Sequence, residues 1–406
     1  MKRIYLDHNA TTPVDPEVLD AMLPFLREAY GNASSVHALG QEARRAVEQA
    51  RERVAELIHA DSSEIVFTSG GTEADNHALR GVMMSARDKA ADSRAGASPH
   101  LVTSAIEHPA VLNTAQMLEK RGQAVTYVPV DGQARVDADA VVRALRPETR
   151  LVSIMLANNE VGTLQPVEAI ARQARERGVL VHSDAVQALG RVPVDVRALG
   201  VDLLSISSHK IYGPKGVGAL FIRKGVRVAP LIHGGHQERR RRGGTENVAG
   251  IVGFGRACEL SGRMRAESAA REAALRDRLE VAILERIPHA RVNGHPRERL
   301  PNTLNVAFRF VEGESLLINL DFEGIAVSTG SACSSGDLKP SHVLVAMGIA
   351  VEEAHGSLRF SLGRGTTAEE IETTIEALVK VVERVRGMSP MYRDFLKGRE
   401  AAAGAR

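Results

Sequence analysis

Leu203-Leu204-Ser205-Ile206-Ser207-Ser208-His209-Lys210 begins as an apolar run of strand length and ends in hydroxyls, a histidine and one lysine. A glycine-rich turn follows at Ile211-Tyr212-Gly213-Pro214-Lys215-Gly216-Val217-Gly218, and then a second apolar run, Ala219-Leu220-Phe221-Ile222. Taken alone, the segment reads as a strand that ends in a surface lysine. A lysine at the mouth of a buried strand has a second use. Desolvation lowers its pKa and frees the amine to form a Schiff base. What stands elsewhere in the chain decides between the two.

Outward from this stretch, short apolar runs alternate with amphipathic segments, the signature of an α/β domain with a mostly parallel sheet. The runs predict strands at Ile65–Thr68, Leu101–Ser104, Val125–Val130, Leu151–Leu156, Val179–His182, Leu203–Ser207 and Ala219–Ile222. Helical spacing falls between them near Glu73–Arg87, Ala110–Arg121, Ala138–Leu145 and Val167–Gly178. Upstream, Ile4-Tyr5-Leu6 reads as a short strand, and helices are expected over Pro16–Tyr30 and Leu39–Ile58. Past Cys258, residues 259–286 read as one long charged helix leading into a second unit. That unit has strands at Leu304–Phe308 and Leu358–Ser361 and helices at Glu314–Asp321 and Glu369–Arg386. The expected division is a large domain over 15–258 and a small one built from 1–14 and 259–406.

At 406 residues, 44% hydrophobic and 25% charged, the chain has room for two globular domains. A formal net charge of +2 argues against a dedicated nucleic-acid binder. No apolar run reaches membrane-spanning length and the first residues carry no apolar signal region, so a cytoplasmic location is expected. Two cysteines, Cys258 and Cys333, are too few and too far apart for a disulfide framework.

In open α/β sheets ligands bind beyond the carboxyl ends of the strands, so the residues just past each run are the candidates. Thr68-Ser69-Gly70-Gly71-Thr72-Glu73 leads a glycine turn into a helix, where backbone N–H groups favour an anion. An ordinary capped turn is the plainer alternative. Asp184, in Val181-His182-Ser183-Asp184-Ala185-Val186-Gln187, ends an apolar strand and must be paired there. It can hold a protonated ring nitrogen or cap the next helix, and Gln187 lies about one turn on. Asn158-Asn159-Glu160 puts two amides at a strand end, and Glu107-His108-Pro109 puts an imidazole where it can lie over a flat ligand. Together these supply an anion cradle, an acid for a ring nitrogen, amides for a ring oxygen, and a lysine. Pyridoxal 5'-phosphate requires that set.

Ser207-Ser208-His209-Lys210, Asp184-Ala185-Val186-Gln187, Glu107-His108-Pro109-Ala110-Val111, Gly71-Thr72-Glu73, Asn158-Asn159-Glu160 and Gly244-Thr245-Glu246-Asn247 resemble the cysteine desulfurases of the NifS/IscS type. So does Ser328-Thr329-Gly330-Ser331-Ala332-Cys333-Ser334-Ser335-Gly336, and the likeness runs from Tyr5-Leu6-Asp7 to Phe360-Ser361-Leu362. It implies the type I fold of pyridoxal-phosphate-dependent transferases. That is a large α/β domain with a mostly parallel seven-stranded sheet, plus a smaller α+β C-terminal domain. The resemblance also implies roles. Lys210 would carry the cofactor, Asp184 pair with its ring nitrogen, His108 stack on the ring, and Gln187 and Asn159 bond its phenolic oxygen. Gly71, Thr72, Ser207 and His209 would hold the phosphate, with Thr245 reaching it from the other subunit of a homodimer. Arg359 would grip the substrate carboxylate, which a bidentate guanidinium suits. Ala33 stands where proline is usual and Thr329 where serine is usual, and neither change removes a reacting group.

Cys258 lies in an apolar-periodic run and reads as a small buried hydrophobe. Cys333 sits instead among serines, glycines and alanine, a permissive loop. The resemblance makes Cys333 the nucleophile that takes sulfur from L-cysteine, leaving L-alanine and a persulfide. It also implies an iron–sulfur scaffold protein of the NifU/IscU type as acceptor. A selenocysteine lyase or another class V aminotransferase would use the same cofactor. A non-catalytic sulfur-trafficking or scaffold-binding subunit would keep only the fold. His8 receives no role, and Arg239-Arg240-Arg241-Arg242 reads as a solvated loop beside Thr245.

Overall fold

The computed structural model describes residues 3–92, 98–330 and 340–404. After a short strand β1 (Ile4–Tyr5), seven strands build one sheet: β2 (Ile65–Thr68), β3 (His100–Ser104), β4 (Ala124–Val128), β5 (Thr149–Ser153), β6 (Leu180–Asp184), β7 (Leu203–Ser207) and β8 (Gly218–Ile222). Their order is β2-β8-β7-β6-β5-β3-β4. All neighbours are parallel except β8, which runs antiparallel to both β7 and β2. Two reversals cancel, so β2 points the same way as β7. The carboxyl ends of β2, β3, β5, β6 and β7 therefore share one edge, where a doubly wound sheet binds its ligands.

Both faces of the sheet are covered, which is why its strands read as nearly continuous apolar runs. On one face Val66, Leu101, Leu151, Leu203 and Leu220 pack against Ala78, Leu79 and Met83 of the helix Gly71–Asp92 and Val111 and Leu118 of the helix Pro109–Lys120. On the other, Phe67, Val102, Val152, Val181 and Leu204 meet Ile170 and Ala174 of the helix Val167–Glu176. Their cluster also takes in Val54 and Phe254 from two longer helices. β5 ends at Ser153 rather than at Leu156, yet the chain stays bonded to β6, with Ile154 N–H to His182 and Leu156 N–H to Asp184.

The long helix spans Val248–Arg286, eleven residues earlier at its start than the expected 259. Its early glycines look like helix breakers in sequence. In the fold they are contact points. A Cβ on Gly253 would lie 2.6 Å from Met22 Sδ, and one on Gly255 would lie 2.7 Å from the Ala50 backbone. The helices Pro16–Arg27 and Ala38–Leu57 can approach only because those positions have no side chain.

Beyond it, β9 (Ala290–Asn293), β10 (Thr303–Phe308) and β12 (Ser357–Ser361) form an antiparallel sheet in the order β12-β10-β9, while β11 (Ile325–Ala326) pairs in parallel with β1. Ile4 and Leu6 share a core with Leu304, Phe308, Leu358 and Phe360, so the N-terminal strand is packed among C-terminal elements. Among the described residues no helix is long and apolar enough to cross a membrane.

Candidate active site

Lys210 closes a single tight turn, Ser208–Lys210, directly after β7. Its ammonium donates to the backbone carbonyls of Asn9 at 2.6 Å and Ala10 at 2.7 Å. Its positive charge is felt by both Asp184 and His108, lowering the pKa of each. The sheet edge thus brings together the three residues that the sequence analysis put first.

Asp184 is the last residue of β6 and is 6% exposed. Burial pushes its carboxyl up to about 6, against the Val186 N–H, which it accepts at 2.8 Å, and the Lys210 charge. Near it lies Asp75, fully buried and held well above the carboxylate range by burial and by Asp184 itself. His182, on the same strand as Asp184, is bonded to Ser153 at 2.8 Å and Ser205 at 2.9 Å, and burial lowers it to about 3.

Gln187 lies where expected but is held from the protein side. Its Nε2 donates to Asn9 O at 2.9 Å and its Oε1 accepts from buried Arg191. Arg191 also donates to the backbone carbonyls of Gln187 at 3.1 Å and His8 at 3.2 Å. One N–H of the Gln187 amide is left to serve a ligand.

His108 caps the helix Pro109–Lys120, accepting the Ala110 N–H on Nδ1 at 3.1 Å. The proton of the neutral ring therefore sits on Nε2. Burial, then Lys210 and His342, lower His108 to about 4, so it stays neutral near pH 7. His342 donates through Nε2 to Glu107 O at 2.9 Å, an orientation dictated by the carbonyl. The Glu107 carboxyl is buried, takes the Ser104 hydroxyl at 2.6 Å and the Met155 N–H at 3.0 Å, and is pushed up by burial to about 8.

The proposed anion cradle is formed by separate turns. Gly71 opens the helix Gly71–Asp92, and a Cβ there would come 2.7 Å from Val186 Cγ2. Ser207 Oγ is buried with no hydrogen-bond partner among the described residues, an unmet donor at this edge. His209 Nδ1 meets Thr11 Oγ1 at 3.1 Å, and burial first, then Lys210, Lys215 and Arg191, lower the ring to about 4. Thr72 is exposed and lines, with His108, Asn76 and Arg80, a cleft of about 400 Å³. Thr245 is exposed too, after Gly244 at φ +109°. Its loop is not merely solvated: Arg242 forms a two-point ion pair with Glu73, beside Thr72, at 2.9 and 3.2 Å.

Arg359, on β12, donates through Nη2 to Asp7 at 2.7 Å and through Nη1 to the Asn159 carbonyl at 3.0 Å. Asn159 is half-buried, and its carbonyl also takes the Asn9 amide at 3.1 Å. Cys333 lies outside the described residues.

Sequence reasoning overlooked the segment Asp7–Thr12, together with Arg191, His342 and Asp75. The signal for the first was present: the polar residues just past β1 satisfy the same strand-end rule that found the others. Asp75 sits inside the helical spacing of Gly71–Asp92 and Arg191 in the turn after Gln187, and neither position announces anything.

A sheet with these ends and this lysine defines a ligand-binding α/β enzyme fold. Residues 4–374 match the family model for class-V aminotransferases. A cysteine desulfurase from Trichormus azollae is 50% identical over 394 residues, covering 97% of this chain and 96% of that one. A cysteine desulfurase IscS from Dictyoglomus turgidum is 50% identical over 396 residues, covering 97% and 98%. A solved NifS-like protein superimposes with a TM-score of 0.86 at 42% identity, covering 94% of this chain and 99% of that one. The chain belongs to the class-V aminotransferase family.

Proposed function

We propose that this chain is a cysteine desulfurase, which moves the sulfur of L-cysteine onto Cys333, leaves L-alanine, and passes the sulfur on for iron–sulfur cluster assembly. The observation that carries this is the meeting of Lys210, Asp184 and His108 at one sheet edge, in a chain half identical to cysteine desulfurases.

The donor set fits pyridoxal 5'-phosphate. Buried Ser207 Oγ lacks a partner among the described residues and Gly71 keeps a cradle open beside Val186, as a phosphate requires. Buried Asp184 calls for a cationic N–H, as a protonated ring nitrogen supplies. Bound there, the cofactor offers an aldehyde to Lys210 and a ring that takes up an electron pair. Thr72 and His209 complete the phosphate contacts, with Thr245 added from a second copy, which makes the working unit a homodimer. Gln187 and Asn159 serve the phenolic oxygen.

The chain's own groups then divide the work. Arg359 binds the substrate carboxylate, and neutral His108, with its proton on Nε2, would help hold the cofactor's ring. Lys210, which would hold the cofactor, is placed at the sheet edge to move the substrate's α-proton. Cys333 attacks as a thiolate: its sulfur bonds the substrate sulfur, the substrate Cβ–S bond breaks with its electron pair left on carbon, and that carbon, once protonated, becomes alanine. A scaffold of the NifU/IscU type in the cytoplasm receives the persulfide sulfur. The division into 15–258 and 1–14 with 259–406 is part of the same proposal, supported by the packing of Ile4 and Leu6 beside Leu304 and Phe360.

Purified protein given L-cysteine and a reductant should release sulfide and alanine in equal amounts, and borohydride should bleach its visible absorbance. Absence of bleaching sinks the lysine assignment. Amino transfer to a keto acid without sulfide would point to an aminotransferase, and turnover of selenocysteine alone to a lyase.

A further inference from the structure

The segment Asp7–Thr12 bonds Lys210, Gln187, His209 and Arg359 and the backbone of Asn159. Asn9 O takes both Lys210 and Gln187, Ala10 O takes Lys210, Asn9 Nδ2 reaches Asn159 O, and Thr11 Oγ1 meets His209. At its head, Asp7 binds Arg359. Both side chains are withdrawn from water, Arg359 at 5% and Asp7 at 20% exposure, and the contact is 2.7 Å. The guanidinium is held on a second side by the Asn159 carbonyl, while its Nε–H is buried with no hydrogen-bond partner among the described residues. A buried charged donor without an acceptor is costly, so this arrangement points to an anion that belongs against Arg359.

We propose that Asp7 is a positioning residue for the substrate carboxylate: it fixes the Arg359 guanidinium so that its unfilled donor meets the incoming anion. The inference rests on Arg359 being the carboxylate grip. Arginine has a long, rotatable stem, and recognition of a planar carboxylate depends on where the fork points. Asp7 fixes one nitrogen and Asn159 another, which settles that direction before substrate arrives. Asp7 also supplies the counter-charge that a buried cation needs.

The test uses the cofactor-loaded enzyme. Asp7→Ala should raise KM for L-cysteine about tenfold, the size of one charge-assisted hydrogen bond, with kcat changing far less. Binding of L-alanine, read as a change in visible absorbance without turnover, should weaken in parallel. Asp7→Asn keeps an acceptor oxygen in place and should lose clearly less than Asp7→Ala. An unchanged or lower KM in Asp7→Ala, or an equal loss in Asp7→Asn, overturns the proposal. Should Asp7→Ala fold poorly, Asp7→Ser carries the same comparison. Arg359→Lys separates the two levels. If it leaves KM and alanine binding untouched, the carboxylate assignment has failed; if it weakens both while Asp7→Ala does not, only the role of Asp7 falls.

Discussion

Glu238 clasps Arg51 at both terminal guanidinium nitrogens, at 2.7 and 2.8 Å, and takes the Phe67 N–H at 2.9 Å. Arg51 in turn donates to Ile65 O at 3.1 Å, so one buried ion pair closes the outer edge of β2. That edge would otherwise present unpaired backbone groups. The pair also anchors the loop that carries Thr245, through left-handed backbone at Glu238, Arg239 and Arg240. Removing Glu238 leaves buried Arg51 with only the half-exposed Glu48 carboxylate, 3.3 Å from its Nε. Glu238→Ala should therefore cost about 3 kcal/mol in denaturant unfolding. A loss below about 1 kcal/mol would show that water reaches Arg51 and relieves it.

His8 gives a test in pH. Burial, then Arg191, lower it to about 4, while an unfolded histidine titrates near its ordinary value of about 6.5. Between those values the unfolded chain holds the extra proton, so the stability contributed by His8 is present above about 6.5 and is lost as pH falls toward 4. His8→Phe has no such proton. Its size against Gly363 sets a constant offset, but relative to the parent its stability should rise by on the order of 2 kcal/mol between pH 7 and pH 4.5. Parallel stability curves for the two proteins would refute the burial of a neutral ring.

Glu107 has the opposite sign. Its carboxyl is pushed up to about 8 by burial, against an ordinary value near 4.3. In that window the folded chain keeps a proton the unfolded chain has lost, so stability declines as pH rises from about 4.5 to 8. Glu107→Gln removes the titration and retains an oxygen for the Ser104 hydroxyl and the Met155 N–H. Its advantage over the parent should be absent near pH 4.5, grow steadily, and reach a few kcal/mol at pH 8 in denaturant melts. An advantage independent of pH would mean that Glu107 is ionised throughout.

Which features could be read from the chain alone follows from where each keeps its information. The sheet strands announced themselves because burial on both faces demands unbroken apolar or small residues, as in Ile65–Thr68 and Leu203–Ser207. The ligand edge followed, since strand ends are where polar residues resume. The long helix was found short because Gly253 and Gly255 weaken a helix locally and are justified only by Met22 and Ala50, far away in sequence. Asn9 was illegible for a related reason. Its side chain bonds Thr303 at 2.9 Å and Asn302 at 3.1 Å, and its N–H bonds Ser361 at 2.9 Å, partners some three hundred positions distant. Periodicity records the faces of local elements, and such polar contacts leave no period.

The two cysteines should separate cleanly by chemistry. Cys258 is 1% exposed inside the helix Val248–Arg286, and burial pushes its thiol far up, so almost no thiolate forms there at neutral pH. Iodoacetamide on the native holoenzyme should therefore modify one thiol per chain and abolish sulfide release, with the label on Cys333. Cys333→Ala should take up no label, retain its visible absorbance and its borohydride bleaching, and release no sulfide from L-cysteine. Cys258→Ala should keep full activity and lose about 1 kcal/mol of stability for the vacated sulfur. Sulfide release that survives in Cys333→Ala and disappears in Cys258→Ala would reverse the assignment of the nucleophile.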